Sequence, residues 1–124
     1  MAKRRAMLLL TYNVGAHVNK TEYEQWVRDV DNPFFNSIPG IVRYSNWKVV
    51  EEKIGKVPFT YYDLMEIEDL AAFDKVWGNQ ELQKFAHGWT ERWSVHGPDE
   101  KYIGVNFQVL LGEEFAAPDV PKNG

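Results

Sequence analysis

The stretch RYSNWKVVEEKIGKVPFTYYDLMEI, residues 43–67, holds two runs of strand character on either side of a charged turn. From Arg43 to Val50 the residues alternate, with Tyr44, Asn46 and Lys48 on one face and Ser45, Trp47 and Val49 on the other, as the two-residue period of a strand requires. Its polar residues are placed to line something. Glu51 to Val57 is charged and contains Gly55, which predicts a hairpin connection. Phe59 to Ile67 then reads as the next strand, antiparallel to the first.

Upstream of this hairpin, Ala6 to Val14 is a short apolar run bounded by Gly15 and Asn19, which suits a strand buried on both faces. Thr21 and Glu24 stand at the spacing of a capping box, so a helix is predicted to start there. Tyr23, Trp26, Val27 and Val30 give that helix an apolar stripe. Pro33 has no amide to donate, so the helix ends, kinks or restarts near Asp31-Asn32, and Pro39-Gly40 marks a turn. Downstream, Asp69 is placed to cap a second helix carrying Leu70, Phe73, Val76 and Trp77, which Gly78 and Asn79 break. A further helical stretch carries Leu82, Phe85, Ala86, Trp89 and Trp93, and Tyr102 to Leu111 alternates as a fourth strand.

The order is β-α-β-β-α-β, an α+β arrangement of the ferredoxin-like type in which two helices cover one face of a four-stranded antiparallel sheet. Residues 1–112 form that domain, and residues 113–124, with Pro118 and Pro121 and few large apolar side chains, read as a tail. Strands one and four are apolar on both faces, and a bare second face would expose a large patch. Packing against the same sheet of a second subunit removes it, so a homodimer is expected.

Composition excludes several classes. The 124 residues carry 18 acidic and 14 basic side chains, a formal charge of −4, which sets up no field for nucleic acid or an anionic membrane. No cysteine occurs, so disulfides, thiolate metal sites and cysteine nucleophiles are out, and a cytoplasmic location fits. Lys3-Arg4-Arg5 precedes Met7 to Leu10, but Thr11-Tyr12-Asn13 cut the apolar run too early for a signal peptide or membrane span. There is no Gly-rich phosphate loop, nucleophile elbow or dinucleotide fingerprint, so no nucleotide or flavin cofactor is expected. His17, His87 and His96 are well separated and give no metal pattern.

The segments Tyr23-Glu24-Gln25-Trp26-Val27-Arg28, Asp31-Asn32-Pro33 and Ile38-Pro39-Gly40-Ile41-Val42-Arg43-Tyr44 resemble the dimeric α+β barrel superfamily. Tyr62 to Leu70, Phe73 and Asn79-Gln80-Glu81-Leu82-Gln83 are similar to the later half of the same pattern. Within the superfamily the chain most resembles the RedY/HapK-like group of bacterial pigment and indole-metabolite pathways, with EthD-like proteins next. The resemblance implies a dimeric barrel and cofactor-free steps such as cyclisation or shaping of reactive intermediates. EthD-like proteins usually carry His two residues before the helix proline; Asp31 stands there in this chain, as in RedY/HapK-like proteins.

Asp31 has two readings, a general base beside the proline-disturbed helix or a cap of the restarted helix. Histidines are the natural proton carriers near neutral pH, and His87, on the tryptophan-rich helix, is expected either to project toward a cavity beside Asp31 or to sit on the surface. Five tryptophans and six tyrosines suit a site for a flat aromatic or hydrophobic molecule. Tyr12, Asn13, His17, Trp26, Phe35, Tyr44, Asn46, Tyr62, Trp77 and Trp89 are the candidate binding residues, with Asp31 and His87 as the candidate catalytic pair. Asn13, Asn46, Asp63 and Asn106 are polar residues within otherwise apolar strands, where an unpartnered group would be costly. These features favour a cofactor-independent cyclase, lyase or isomerase working by acid–base catalysis in a specialised pathway. A cofactor-free monooxygenase of the antibiotic-biosynthesis type and a non-catalytic dimer that holds hydrophobic ligands are the rival readings.

Overall fold

The computed structural model describes residues 4–94 and 106–118. Strand β1 (Ala6–Tyr12) leads to helix α1 (Lys20–Trp26), a wide π-helical turn (Val27–Asp31) and helix α2 (Asn32–Asn36). Strands β2 (Ile41–Lys48) and β3 (Tyr61–Ile67) follow, then a short 3-10 turn (Leu70–Ala72), helices α3 (Phe73–Trp77) and α4 (Gln80–Trp93), and strand β4 (Gln108–Glu113). The sheet order is β2-β3-β1-β4 with every neighbouring pair antiparallel. This is the ferredoxin-like α+β fold.

Strand alternation sorts the two faces. Ala6, Leu8, Leu10 and Tyr12 stand opposite Ile67, Met65, Asp63 and Tyr61, and all eight are buried under the helices. Leu8, Ile67 and Val76 are wholly excluded from water, each stabilising the fold by roughly 1.5–3 kcal/mol through burial. The opposite face carries Leu9 between Leu64 and Leu110 and Trp47 stacked on Tyr62 at 6.1 Å. On that face Leu110 is 58% exposed and Trp47 46%.

Several boundaries differ from the sequence reading. Helix α1 is capped by Asn19, whose side chain accepts from the Glu22 amide. The Thr21/Glu24 capping box does not form, because the Glu24 carboxylate is drawn to Lys48 and Tyr61 on the sheet, each at 2.9 Å. Asp69 caps as expected, accepting from the Ala72 amide. Gly40, in the expected Pro39-Gly40 turn, has φ +96°, and a β-carbon there would stand 2.7 Å from Val76, so glycine is required twice over.

Pro33 does not end the helix. It sits at the start of α2, and the five residues before it open into a wide turn in which the Asn32 amide donates to Val27. The carbonyl that would face Pro33 in a regular helix finds no donor there, and the wider turn absorbs the mismatch. Asp31 keeps helical angles and makes no side-chain cap, which overturns the reading of Asp31 as a cap. Strand β1 stops at Tyr12, two residues short of the expected Val14. Strand β4 runs past Leu111 to Glu113, and the Glu114 amide donates to the Arg5 carbonyl, so the first residues of the expected tail belong to the sheet. Tyr102, where that strand was expected to begin, lies outside the described residues. Asn106 precedes β4 with φ 49°. No described helix is long and apolar enough to cross a membrane.

The two capping schemes are separable. Asn19→Ala should cost about 0.5–2 kcal/mol of unfolding free energy, whereas Thr21→Ala, inside the first turn, should change it by no more than a few tenths. Urea denaturation of both variants checks this, and an equal loss from both would reinstate the capping box.

A buried carboxyl pair as candidate active site

Residues 44 and 46 share one face of β2, and register places Asn46 opposite Asp63 on β3. The wide turn swings Asp31 down onto the same place. The Tyr44 hydroxyl lies 2.9 Å from Asp31 Oδ2 and 3.0 Å from Asp63 Oδ2. Asn46 Nδ2 spans the same two carboxyls, donating to Asp31 Oδ2 at 3.2 Å and Asp63 Oδ1 at 3.0 Å. Asn32 Nδ2 donates to Asn46 Oδ1 at 2.8 Å and so fixes which way the amide faces. Asn36 grips the Tyr44 backbone, accepting from its amide and donating to its carbonyl, both at 2.9 Å. The polar residues of the DNPFFN segment thus lock the helical segment to β2.

A third approach comes through phenols. Trp89 Nε1 donates to the Tyr23 hydroxyl at 3.0 Å, the Tyr23 and Tyr12 hydroxyls are 2.8 Å apart, and Tyr12 donates to Asp63 Oδ1 over a longer 3.4 Å. Asp31 Oδ1 is the carboxylate oxygen of the pair that receives no hydrogen bond among the described residues.

The single hydroxyl hydrogen of Tyr44 bears on the protonation of the pair. Tyr44 owns one hydroxyl hydrogen, yet two carboxyl oxygens lie within bonding distance of it. Both contacts are satisfied together when one carboxyl carries a proton and donates to the phenol while the phenol donates to the other. The electrostatics agree. Burial is the largest effect and raises both acids, and for Asp63 the neighbouring Asp31 charge raises it further, against hydrogen bonds that lower both. The pair therefore titrates as a unit and keeps a shared proton toward neutral pH. Burial likewise drives the phenols of Tyr12, Tyr23 and Tyr44 well above their ordinary value, so they act as neutral donors.

Asp31, Asp63, Tyr12 and Tyr44 line a cavity of about 260 Å³ between the sheet and α4, walled by Phe35, Trp77, Phe85, Trp89 and Phe107. Behind Tyr12 and Asn46 a smaller groove of about 160 Å³ is lined by Glu24, Arg28, Lys48 and Tyr61. Glu24 there is held below the usual carboxylate range, mainly by the hydrogen bond from Lys48. No group of three metal-ligating side chains occurs among the described residues.

Of the residues expected from sequence, Tyr12, Asp31, Phe35, Tyr44, Trp77 and Trp89 line the cavity, and Asn46 bridges its carboxyls. Others are not brought there. His87 is 61% exposed on the outer side of α4, 3.7 Å from Glu91, so the expectation that it reaches the cavity beside Asp31 fails. Tyr62 lies on the opposite sheet face against Trp47. Asn13 ties down the following loop, donating to the Pro58 carbonyl and accepting from Thr60. His17 is exposed in the turn after β1. Trp26 supports the wall from behind, stacked on Phe85 at 5.6 Å. His96 lies outside the described residues. Asp63 stood out in the sequence as a charge inside an apolar strand, but its partner Asp31 is 32 positions away and only the fold joins them.

A family model described as REDY-like protein HapK matches residues 6–99. Among solved structures the chain is similar to HapK from Hahella chejuensis, with TM-score 0.66 and 18% identity over 94% of this chain and 99% of that one. It is similar to an ethyl tert-butyl ether D (EthD) family protein from Bacillus halodurans, with TM-score 0.64 and 13% identity over 90% and 99%. A protein of unknown function from Thermobifida fusca, described as dimeric and ferredoxin-like, matches with TM-score 0.59 and 8% identity over 89% and 91%. No curated protein sequence matches.

The raised acids set the sign of a pH effect. Below the ordinary carboxylate pKa of about 4 both folded and unfolded chains are protonated and the stabilisation is intact. As pH rises toward the raised folded values, the unfolded carboxyl ionises freely while the buried one resists, so stability falls. From about pH 5 to about pH 8 the native protein should lose stability, by up to about 1.4 kcal/mol per pH unit for one retained proton, and Asp63→Asn should lose distinctly less. Urea titrations at the two ends measure this, and identical pH slopes in both proteins would show that Asp63 holds no extra proton.

Proposed function

We propose that this chain, which belongs to the REDY-like HapK family, is a cofactor-independent acid–base catalyst with the Asp31/Asp63 pair at its reacting centre. Its substrate is a small aromatic or reactive carbonyl-type molecule, and its reaction a cyclisation, elimination or isomerisation in a specialised pathway. The observation that carries this reading is one phenol set within hydrogen-bonding distance of two buried carboxyls.

Such a unit both takes a proton from a substrate and gives one back. Asp31, through its open Oδ1, removes a proton from the substrate. Asp31 Oδ1 then returns a proton to a second substrate atom, while Asp63 keeps its own proton and, through the Tyr44 hydroxyl, supports the charge that reappears on Asp31. The substrate loses one proton and gains one, the pair ends in its starting charge, and no electron changes hands. Asn46 keeps both carboxyls aligned throughout, while the aromatic walls present a flat substrate edge-on to the pair.

The second sheet face supports a homodimer. Leu9, Leu64 and Leu110 lie in one row across the strands beside the stacked Trp47 and Tyr62, and pairing two such faces buries them all. The bulk of the partner lies across the sheet from the cavity, so each subunit keeps its own carboxyl pair.

Two measurements test these statements. Carbon-bound hydrogen exchange of 1,3-dihydroxynaphthalene in D2O, followed by NMR, reports proton removal and return directly. Asp31→Asn, Asp63→Asn and Tyr44→Phe should each slow the accelerated exchange by on the order of 10²–10⁴-fold while near-ultraviolet circular dichroism stays native, and unchanged rates in folded variants would refute the pair as catalyst. Sedimentation equilibrium at micromolar concentration should give twice the chain mass of 14.4 kDa; a monomer mass refutes the sheet-to-sheet dimer.

A further inference from the structure

The hydrogen-bond inventory of the cavity is one-sided. The buried donors on its walls are already committed to the protein. Tyr44 and Asn46 give their hydrogens to the carboxyls, Trp89 gives its indole hydrogen to Tyr23, and Thr90 gives its hydroxyl hydrogen to the Ala86 carbonyl. Tyr12 spends its own on Asp63 or Tyr23. What is left open deep in the cavity among the described residues is an acceptor, Asp31 Oδ1, on a residue only 4% exposed. Gln83, exposed at the rim, donates to the Trp77 carbonyl.

The charge inventory is equally one-sided. Two carboxyls line the cavity, and no Lys, Arg or His among the described residues does. The nearby cations Lys48 and Arg28 line the other groove, where both face Glu24, at 2.9 and 3.9 Å.

We propose that this cavity selects a flat molecule that offers an N–H or O–H, neutral or cationic, and rejects aromatic acids. The inference rests on the cavity being the reactive site proposed above. A ligand donor satisfies Asp31 Oδ1, which accepts no hydrogen bond among the described residues and belongs to a residue that lines the cavity. Among the described residues an anionic ligand finds no free side-chain donor at that depth, and it meets the charge of the pair across a low-dielectric gap. Aromatic walls favour flat rings, and a cationic group gains from their π-faces as well as from the carboxyls.

Calorimetric titration of the native protein near neutral pH with 2-naphthol, 2-methoxynaphthalene, 2-naphthoate and 2-naphthylmethylamine isolates each feature on one ring system. 2-Naphthol and the amine should bind about tenfold or more tightly than 2-methoxynaphthalene, the worth of one hydrogen bond to a charged acceptor. 2-Naphthoate should bind weakest, and Asp31→Asn should narrow the gap between 2-naphthol and 2-naphthoate. Equal binding of 2-naphthol and its methyl ether, or preferred binding of 2-naphthoate, overturns the selectivity while leaving the catalytic pair to the exchange measurement. Binding by none of the four overturns the cavity as a ligand site and this inference with it, and the exchange rates then report separately on the carboxyls.

Discussion

A single phenolic hydrogen between two buried carboxyls joins the helical layer to the middle of the sheet. Asp31 comes from the helical segment, Asp63 and Tyr44 from adjacent strands, and none of the three is satisfied alone. Two ionised carboxylates at this depth would repel each other and forgo hydration. Retention of one proton turns that repulsion into a hydrogen-bonded chain. The geometry around it follows from the same need. Asn46 must face both acids, so Asn32 holds it; Tyr44 must not slide along the strand, so Asn36 clasps its backbone.

Around the acids lies an aromatic shell that shields them from bulk water and orients the donors. Tyr12 stands edge-on to Trp89 at 5.3 Å and to Tyr23 at 6.4 Å, and Phe34 stacks on Phe85 at 4.1 Å. These rings do two things at once. Their bodies bury apolar area, and the polar tips of Trp89, Tyr23 and Tyr12 line up as successive donors ending at Asp63. The dry surroundings that raise the acids are thus built from the same side chains that solvate them.

Much of this was legible in the sequence, and the failures have physical reasons. Alternation in β2 and β3 and the helical stripes of α4 carried the topology, because burial writes its period directly into the chain. Asp31 stood out beside Pro33, though the cap expected there is absent and the side chain turns to the sheet instead. Asp63 stood out as a charge in a strand, but nothing local says that Asp31 answers it. His87 lies off the stripe formed by Leu82, Phe85, Ala86 and Trp89, and helix geometry turns it outward. Tyr62 is adjacent to Asp63, and one step along a strand reverses the face.

The wide turn from Val27 to Asp31 also makes the chain unequally tolerant of changes in length. It spaces Trp26 from Pro33 by one residue more than a regular helix with the same ends would need, and that extra residue is what aims Asp31 at β2. Deleting one residue here would turn everything that follows by roughly a quarter to a third of a helical revolution, leaving Tyr44 and Asp63 facing an empty place. The connection between β2 and β3, where Ile54 is 97% exposed, has no such bearing on the carboxyls. Lineages descended from this sequence should therefore lengthen and shorten freely between residues 49 and 60 while keeping a constant count from Trp26 to Asn36.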